Sequence, residues 1–254
     1  MKEVTINKHK CKIYDSIEDL PIVRFHHYNH MVLVDAGIGS EMSDFDNHIE
    51  RVVRYIKNKD NDNAAKELDN LRQNVYQIMS KQSVRDLSFA VLVAEIDGKP
   101  CNDMSQDGLQ KVVELLSGAT KKELTDISQS VKKKIDDELV LYFPKQFNDV
   151  STREYYDLLK RHTLANIRLI TDGESEENKK EVEKLEEKIV LFVKPKVYTG
   201  HDGVEVTHDK NFETMCIAIT KETGKDAKRM SVLEYYNAYE YIQEMARKTQ
   251  NKAR

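Results

Sequence analysis

Apolar side chains recur at spacings of three and four along most of this chain, the period of a helix with one buried face. Phe45, Ile49, Val52 and Ile56 make one such stripe. Ala64, Leu68, Leu71, Val75 and Ile78 make a second, after the polar run 58–63. So short a connection predicts an antiparallel helix pair. Ser83 opens a third helix, whose apolar centre at 89–94 belongs inside the molecule and which Asp97-Gly98 and Pro100 end. A fourth helix is expected over 106–116. Thr120 with Glu123 forms a capping-box pattern ahead of Leu124, Ile127, Val131, Ile135 and Leu139, a helix of about 20 residues stopped at Phe143-Pro144. Ser151 with Glu154 repeats that pattern before Tyr155, Leu158, His162, Ala165 and Leu169, and Asp172-Gly173 closes the helix. Further helices are expected over 212–223 and over 231–248, the last with Val232, Tyr235, Tyr239, Ile242 and Ala246 on one face.

The ends of this helical series read differently. Residues 3–14 alternate weakly and predict a short hairpin or two edge strands. Residues 22–34 suit a short helix, which the glycines of 35–40 interrupt. Near 194–210, Pro195, Gly200, Gly203 and several β-branched residues predict a small extended or β arm projecting from the body. Nine Gly and four Pro in 254 residues are too few for a sandwich or barrel. The expectation is a mainly α fold: a helical bundle-like body with an N-terminal hairpin and that arm. Three stretches suggest themselves, namely 1–42, 43–148 and 149–254, the first extended, the second the helical body, the third helical with the arm, all compatible with one continuous domain.

Charge and cysteine content narrow the function classes. A net charge of −4 does not describe a basic nucleic-acid binder. Cys11, Cys101 and Cys216 form no disulfide framework and are expected as reduced thiols. The N-terminal residues show no secretory signal, and no apolar run approaches a membrane span.

No motif compels an enzymatic reading. His26 and His30 share a helical face, as two metal ligands would, but no third ligand stands beside them. A surface or interface role fits them better, and no metal or cofactor is expected. The glycines of 35–40 lack the remaining elements of a phosphate loop, so a plain turn explains them. No serine sits in a nucleophile elbow, and the cysteines are expected to be buried. The basic cluster 132–134 is flanked by acids and reads as a solvated face, while the basic tail 247–254 could contact nucleic acid or a negatively charged partner.

Candidate interface residues are easier to name. The stretch 174–188 holds seven acids and four lysines, yet Val182, Leu185, Ile189 and Phe192 run through it as a narrow apolar seam. That pattern describes a solvated helix with one docking edge. Tyr155, Tyr156, Tyr235, Tyr236 and Tyr239 are the aromatic candidates, since tyrosine joins an apolar ring to a polar tip. Packing inside the chain is the competing fate of each. His201 and Asp202 stand at the expected tip of the arm.

Four stretches carry a resemblance. They are Asp19-Leu-Pro-Ile-Val-Arg-Phe-His-His-Tyr-Asn29 with Met31-Val-Leu-Val-Asp35, then 68–76, 87–98 and 230–242. In overall character these are similar to virion or tail-assembly proteins of crAss-like bacteriophages. The resemblance covers residues 19–98 and 230–245 and contains no catalytic motif. It implies a structural virion role without catalysis: a homo-oligomeric ring of the head–tail connector, stacked on or near the portal. Twelve-fold symmetry follows if the ring follows the portal. Other neck and tail proteins would be its partners, with DNA passing through. The alternatives are a non-virion tail-assembly chaperone and, more remotely, an enzyme with a site assembled from distant residues.

Overall fold

The computed structural model describes residues 1–80, 83–147, 150–171, 173, 175–192 and 194–252. Two tight turns build a small sheet at its start. Strands β1 (Lys2–Ile6) and β2 (His9–Ile13) join through Asn7 and Lys8, both at positive φ. That is the backbone a two-residue hairpin turn requires. Strands β3 (Val93–Ile96) and β4 (Lys99–Pro100) join in the same way through Asp97 and Gly98. The order is β1-β2-β3-β4, antiparallel throughout. Asp97 couples the two turns: its carboxylate accepts from the Lys10 amide at 2.8 Å and meets His9 Nδ1 at 2.6 Å.

Eleven α-helices follow among the described residues. They are α1 (Ile22–Gly37), α2 (Met42–Lys57), α3 (Asn61–Ser80), α4 (Val84–Leu92), α5 (Gln106–Leu116), α6 (Lys121–Tyr142) and α7 (Pro144–Phe147). Then come α8 (Val150–Thr171), α9 (Glu176–Val190), α10 (Val204–Thr223) and α11 (Val232–Lys252). The expected fold class is therefore observed, and three details of it change.

First, helix α4 stops at Leu92 and its tail becomes β3. The Asp-Gly hairpin turn at 97–98 pulls the preceding residues into a strand against β2. Second, no strand forms near 194–210: residues 194–198 have no regular secondary structure, and α10 begins at Val204 rather than near 212. Gly203, the residue ahead of the helix, has extended φ/ψ, and the β-branched Val204 and Val206 simply enter the first turn. Third, this segment is anchored. Tyr198 is buried with Val34, Ile38 and Val84, and a Cβ on Gly37 would overlap the Tyr198 hydroxyl.

The caps expected from sequence are partly visible. Thr120 accepts from the Glu123 amide at 3.2 Å. Ser231 and Glu234 form a reciprocal box that opens α11. The Ser151 side chain and Asp172 lie outside the described residues.

One main core draws on all three stretches of the sequence. Ile6 and Ile13 of the sheet, Phe25 of α1, Leu92, Ile135 of α6, and Ile219 and Tyr235 near the C-terminus share it. A clasp completes it: the Ile22 amide donates to the Met230 carbonyl at 3.0 Å, and the Val232 amide to the Leu20 carbonyl at 2.9 Å.

Arg24 is the polar pin of this core. Helix α4 turns straight into a strand, so its last carbonyls have no helical donors. The buried Arg24 guanidinium donates to the carbonyls of Val91 (2.9 Å), Val93 (3.0 Å) and Cys101, and lies over the Tyr14 ring. A planar fork is needed to reach three carbonyls, and lysine has none. Arg24→Lys is therefore expected to cost about 2–3 kcal/mol, because buried carbonyls lose their donors. Urea denaturation checks this; a loss under about 0.5 kcal/mol would show that water replaces the guanidinium.

Candidate interaction surface

The α2–α3 hairpin is only partly packed as its stripes predict. Of the α2 stripe Val52 is buried, with His48 and Tyr55 beside it, while Ile49 and Ile56 are 41% and 56% exposed. Helix α3 buries Ala64 of its stripe together with Glu67, Asn70 and Asn74, keeps Leu71, Val75 and Ile78 half-buried, and leaves Leu68 exposed.

The reason lies at the C-terminal end of α1, where the Ile38 carbonyl needs donors. His48 Nε2 donates to it at 2.8 Å and Asn74 Nδ2 at 3.1 Å. His48 Nδ1 meets Glu67 Oε1 at 2.7 Å, and Arg51 reaches the same oxygen at 3.4 Å. A carbonyl only accepts, so Nε2 carries a hydrogen, and the His48–Glu67 contact holds one proton between its two atoms. Satisfying this polar set turns one side of each helix inward. At 100° per residue, the apolar residues one position further on are carried around to the flank of each helix. Ile49, Val53 and Ile56 make a bare surface on α2, and Leu68 is exposed on α3.

Helix α8 carries a second one. Its inner face, with Ala165, Leu158 and Leu169, packs on Val182 and Leu185 of α9. His162 and Glu186, 3.3 Å apart, bridge the same two helices. The opposite face holds Tyr156, Leu164, Ile167 and Ile170, all exposed, Ile170 at 82%. A helix with apolar residues on two opposed sides has one more face than its own chain covers.

The candidates named from sequence now separate. Val182 and Leu185 are buried within the α8–α9 hairpin, so the seam's docking edge is filled by α8. Ile189 and Phe192 are half-buried, and the Phe192 ring lies 5.5 Å from that of Tyr155, itself half-buried. Tyr156 is exposed. Tyr235 is buried, and Tyr236 and Tyr239 are half-buried against the main core. Phe25, Phe143 and Phe147 all contact the Tyr236 ring, so these tyrosines are packing residues. His201 and Asp202 are exposed at a turn and bonded to each other at 2.9 Å. Leu164, Ile167 and Ile170 were not legible as interface because their face looks like any amphipathic stripe.

The His26–His30 face meets α10. His26 Nε2 lies 2.9 Å from Asp209, and His30 Nε2 3.0 Å from Glu205. The His26 ring is stacked on both His208 (4.5 Å) and Phe212 (4.0 Å). Among the described residues no group of three or more His, Cys, Asp or Glu is placed to hold a metal. Burial pushes the imidazolium pKa of His26, His27 and His208 down, while the bond from Glu205 raises that of His30.

The signs oppose each other. A depressed histidine binds its proton more readily in the unfolded chain, so its contribution falls as pH drops from 7 through about 6.5. A raised histidine contributes most below its unfolded value and loses that contribution as pH rises. Each depressed histidine lowers stability at pH 5 relative to pH 7, and His30 raises it. Relative to the parent, His208→Gln should shift the difference toward greater stability at pH 5 and His30→Gln toward lower, in urea denaturation at the two pH values. Shifts in the reverse sense would overturn the assignment.

No helix among the described residues is long and apolar enough to cross a membrane. No protein-family model, curated protein or solved structure matches this chain.

Proposed function

We propose that this chain is a structural virion protein that assembles head to tail into a closed ring of the head–tail connector, on or near the portal, and performs no catalysis. The observation that carries the reading is surface. The chain exposes 16112 Å², whereas a compact monomer of 29.5 kDa exposes about 11,500 Å². Two different bare apolar faces, on α2–α3 and on α8, contribute to that excess. A closed ring requires such a pair: each copy offers one face to one neighbour and a different face to the other. The α2–α3 face of one copy receives the α8 face of the next. Two permanent interfaces cover about 2,000 Å² or more of each copy, since each buries about 1,000 Å² or more per partner, and the excess is large enough to supply that.

The resemblance to crAss-like phage proteins supports reading such a ring as part of the virion, with the portal and other neck or tail proteins as neighbours. The acid-rich α9 and the net charge of −4 suit a lumen through which DNA slides without sticking.

Quantitative mass spectrometry of purified phage particles tests the virion part. A copy number in simple whole-number ratio to the portal supports it. Absence from particles, with the protein abundant in infected cells, overturns it and leaves the assembly chaperone. Negative-stain electron microscopy of the purified chain tests the ring independently of location.

A further inference from the structure

A cavity of about 570 Å³ lies where α1, α7, α10 and α11 meet. It is an open cleft, with a volume in the range of small-molecule sites, roughly 300–1,000 Å³. Its walls are aromatic. His208, His26, Phe212 and Tyr235 follow one another as near-parallel rings, with interplanar angles of 8°, 9° and 29°. Phe147 and Tyr236 stand edge to face beside them, 5.0 Å apart.

The polar groups are as selective as the rings. Lys145 and Arg247 are exposed lining residues, no carboxylate lines the cavity, and neither cation makes an ion pair among the described residues. In a chain with 44 acids and 40 bases, a site whose formal charges are all positive is set up for an anion. Four carboxamides, Asn29, Asn211, Gln146 and Gln243, complete the lining. Gln146 Oε1 and His208 Nε2 are buried and have no hydrogen-bond partner among the described residues. Buried polar atoms are nearly always paired, so these two orphans mark where a ligand's polar edge belongs.

A flat π-face, an edge of donors and acceptors, and a negative group are the three parts of a nucleotide. Aromatic walls take the face, Gln146 and His208 the edge, Lys145 and Arg247 the phosphate. We infer that this cavity binds a nucleobase carrying a phosphate. A free nucleotide and a nucleotide within a single strand present the same chemistry.

The test is isothermal titration calorimetry on the full chain with adenosine 5′-monophosphate, adenosine, inorganic phosphate and a short single-stranded oligodeoxyadenylate. The monophosphate, the oligonucleotide or both are expected to bind saturably. Lys145→Ala with Arg247→Ala, two exposed positions that leave the fold alone, should weaken the phosphorylated ligand about tenfold or more and adenosine by less than about twofold. Gln146→Ala should weaken both the phosphorylated ligand and adenosine. Tighter binding of the monophosphate identifies a free nucleotide as the ligand, and tighter, salt-sensitive binding of the oligonucleotide identifies a strand. Three results overturn the inference: no saturable binding of either phosphorylated ligand up to about 1 mM, inorganic phosphate binding as well as the monophosphate, or affinities unchanged in the cation variant. None of these bears on ring assembly, which is read by electron microscopy.

Discussion

Ile167→Lys together with Ile170→Lys leaves the chain folded and monomeric. Both positions are exposed on the free chain, at 48% and 82%, so folding loses little. Lysine is a good helix former and suits the C-terminal turns of α8, where the helix dipole favours a cation. Association is another matter. Each isoleucine buried between copies is worth about 1.5–3 kcal/mol, so the pair supplies some 3–6 kcal/mol and a factor of roughly 10²–10⁴ in affinity. Burying two ammonium groups there adds a further penalty. Mass photometry of the variant should show single chains where the unaltered protein shows oligomers.

Ile49→Lys with Leu68→Lys strips the other face and should give single chains as well. Mixing the two variants distinguishes ways of assembling. If α8 of one copy docks on α2–α3 of the next, each mixture retains one intact pair of faces and forms one-to-one dimers that grow no further. If like faces pair with like, each variant alone keeps one self-complementary contact and already forms dimers, and mixing adds nothing. That second result would end the head-to-tail ring.

The largest loss of fold stability is expected at Glu67. It is 1% exposed and His48 is 3% exposed, so the carboxylate and imidazole face each other without water. Removing one partner strands the other. Glu67→Leu should cost about 3–5 kcal/mol, the penalty for breaking a buried pair. That is a third or more of the roughly 5–15 kcal/mol by which domains are stable. Adding His48→Leu should recover part of the loss, because Asn74 still donates to the Ile38 carbonyl. The coupling read from a double-mutant cycle in urea should exceed about 1 kcal/mol. A Glu67→Leu protein within about 1 kcal/mol of the parent would show that the pair holds nothing.

Helices were legible where sequence and packing ask for the same thing. Thr120 caps α6, its Val131, Ile135 and Leu139 are buried as their spacing requires, and Phe143 closes it. Periodicity gives a face, however, and not what covers it. The stripe through Ile49 and Ile56 was read as core because nothing local says that the end of α1 will arrive with a carbonyl in need of His48 and Asn74. The strand β3 hid behind an apolar run that suits a helix equally well. Its signal was the Asp97-Gly98 pair, a hairpin turn taken for a helix stop. The tyrosines of α11 looked like interface anchors, since nothing in the sequence shows Phe143 and Phe147 returning to pack on Tyr236. Of the bare α8 face, Tyr156 alone was visible beforehand, and the cavity between α1, α7, α10 and α11 joins residues more than 200 positions apart.

The clasp between residues 20–22 and 230–232 has a consequence for synthesis. Its two halves are made 208 residues apart, counting from Ile22 to Met230, and ribosomes add about 5–20 residues per second. For roughly 10–40 s the growing chain carries residues 20–22 without the segment that closes them. The α2–α3 and α8–α9 hairpins, whose contacts are local, need not wait. Completion of the body is thus tied to synthesis of residues 230–232: a chain that stops before Met230 cannot seal its core and remains a substrate for proteolysis.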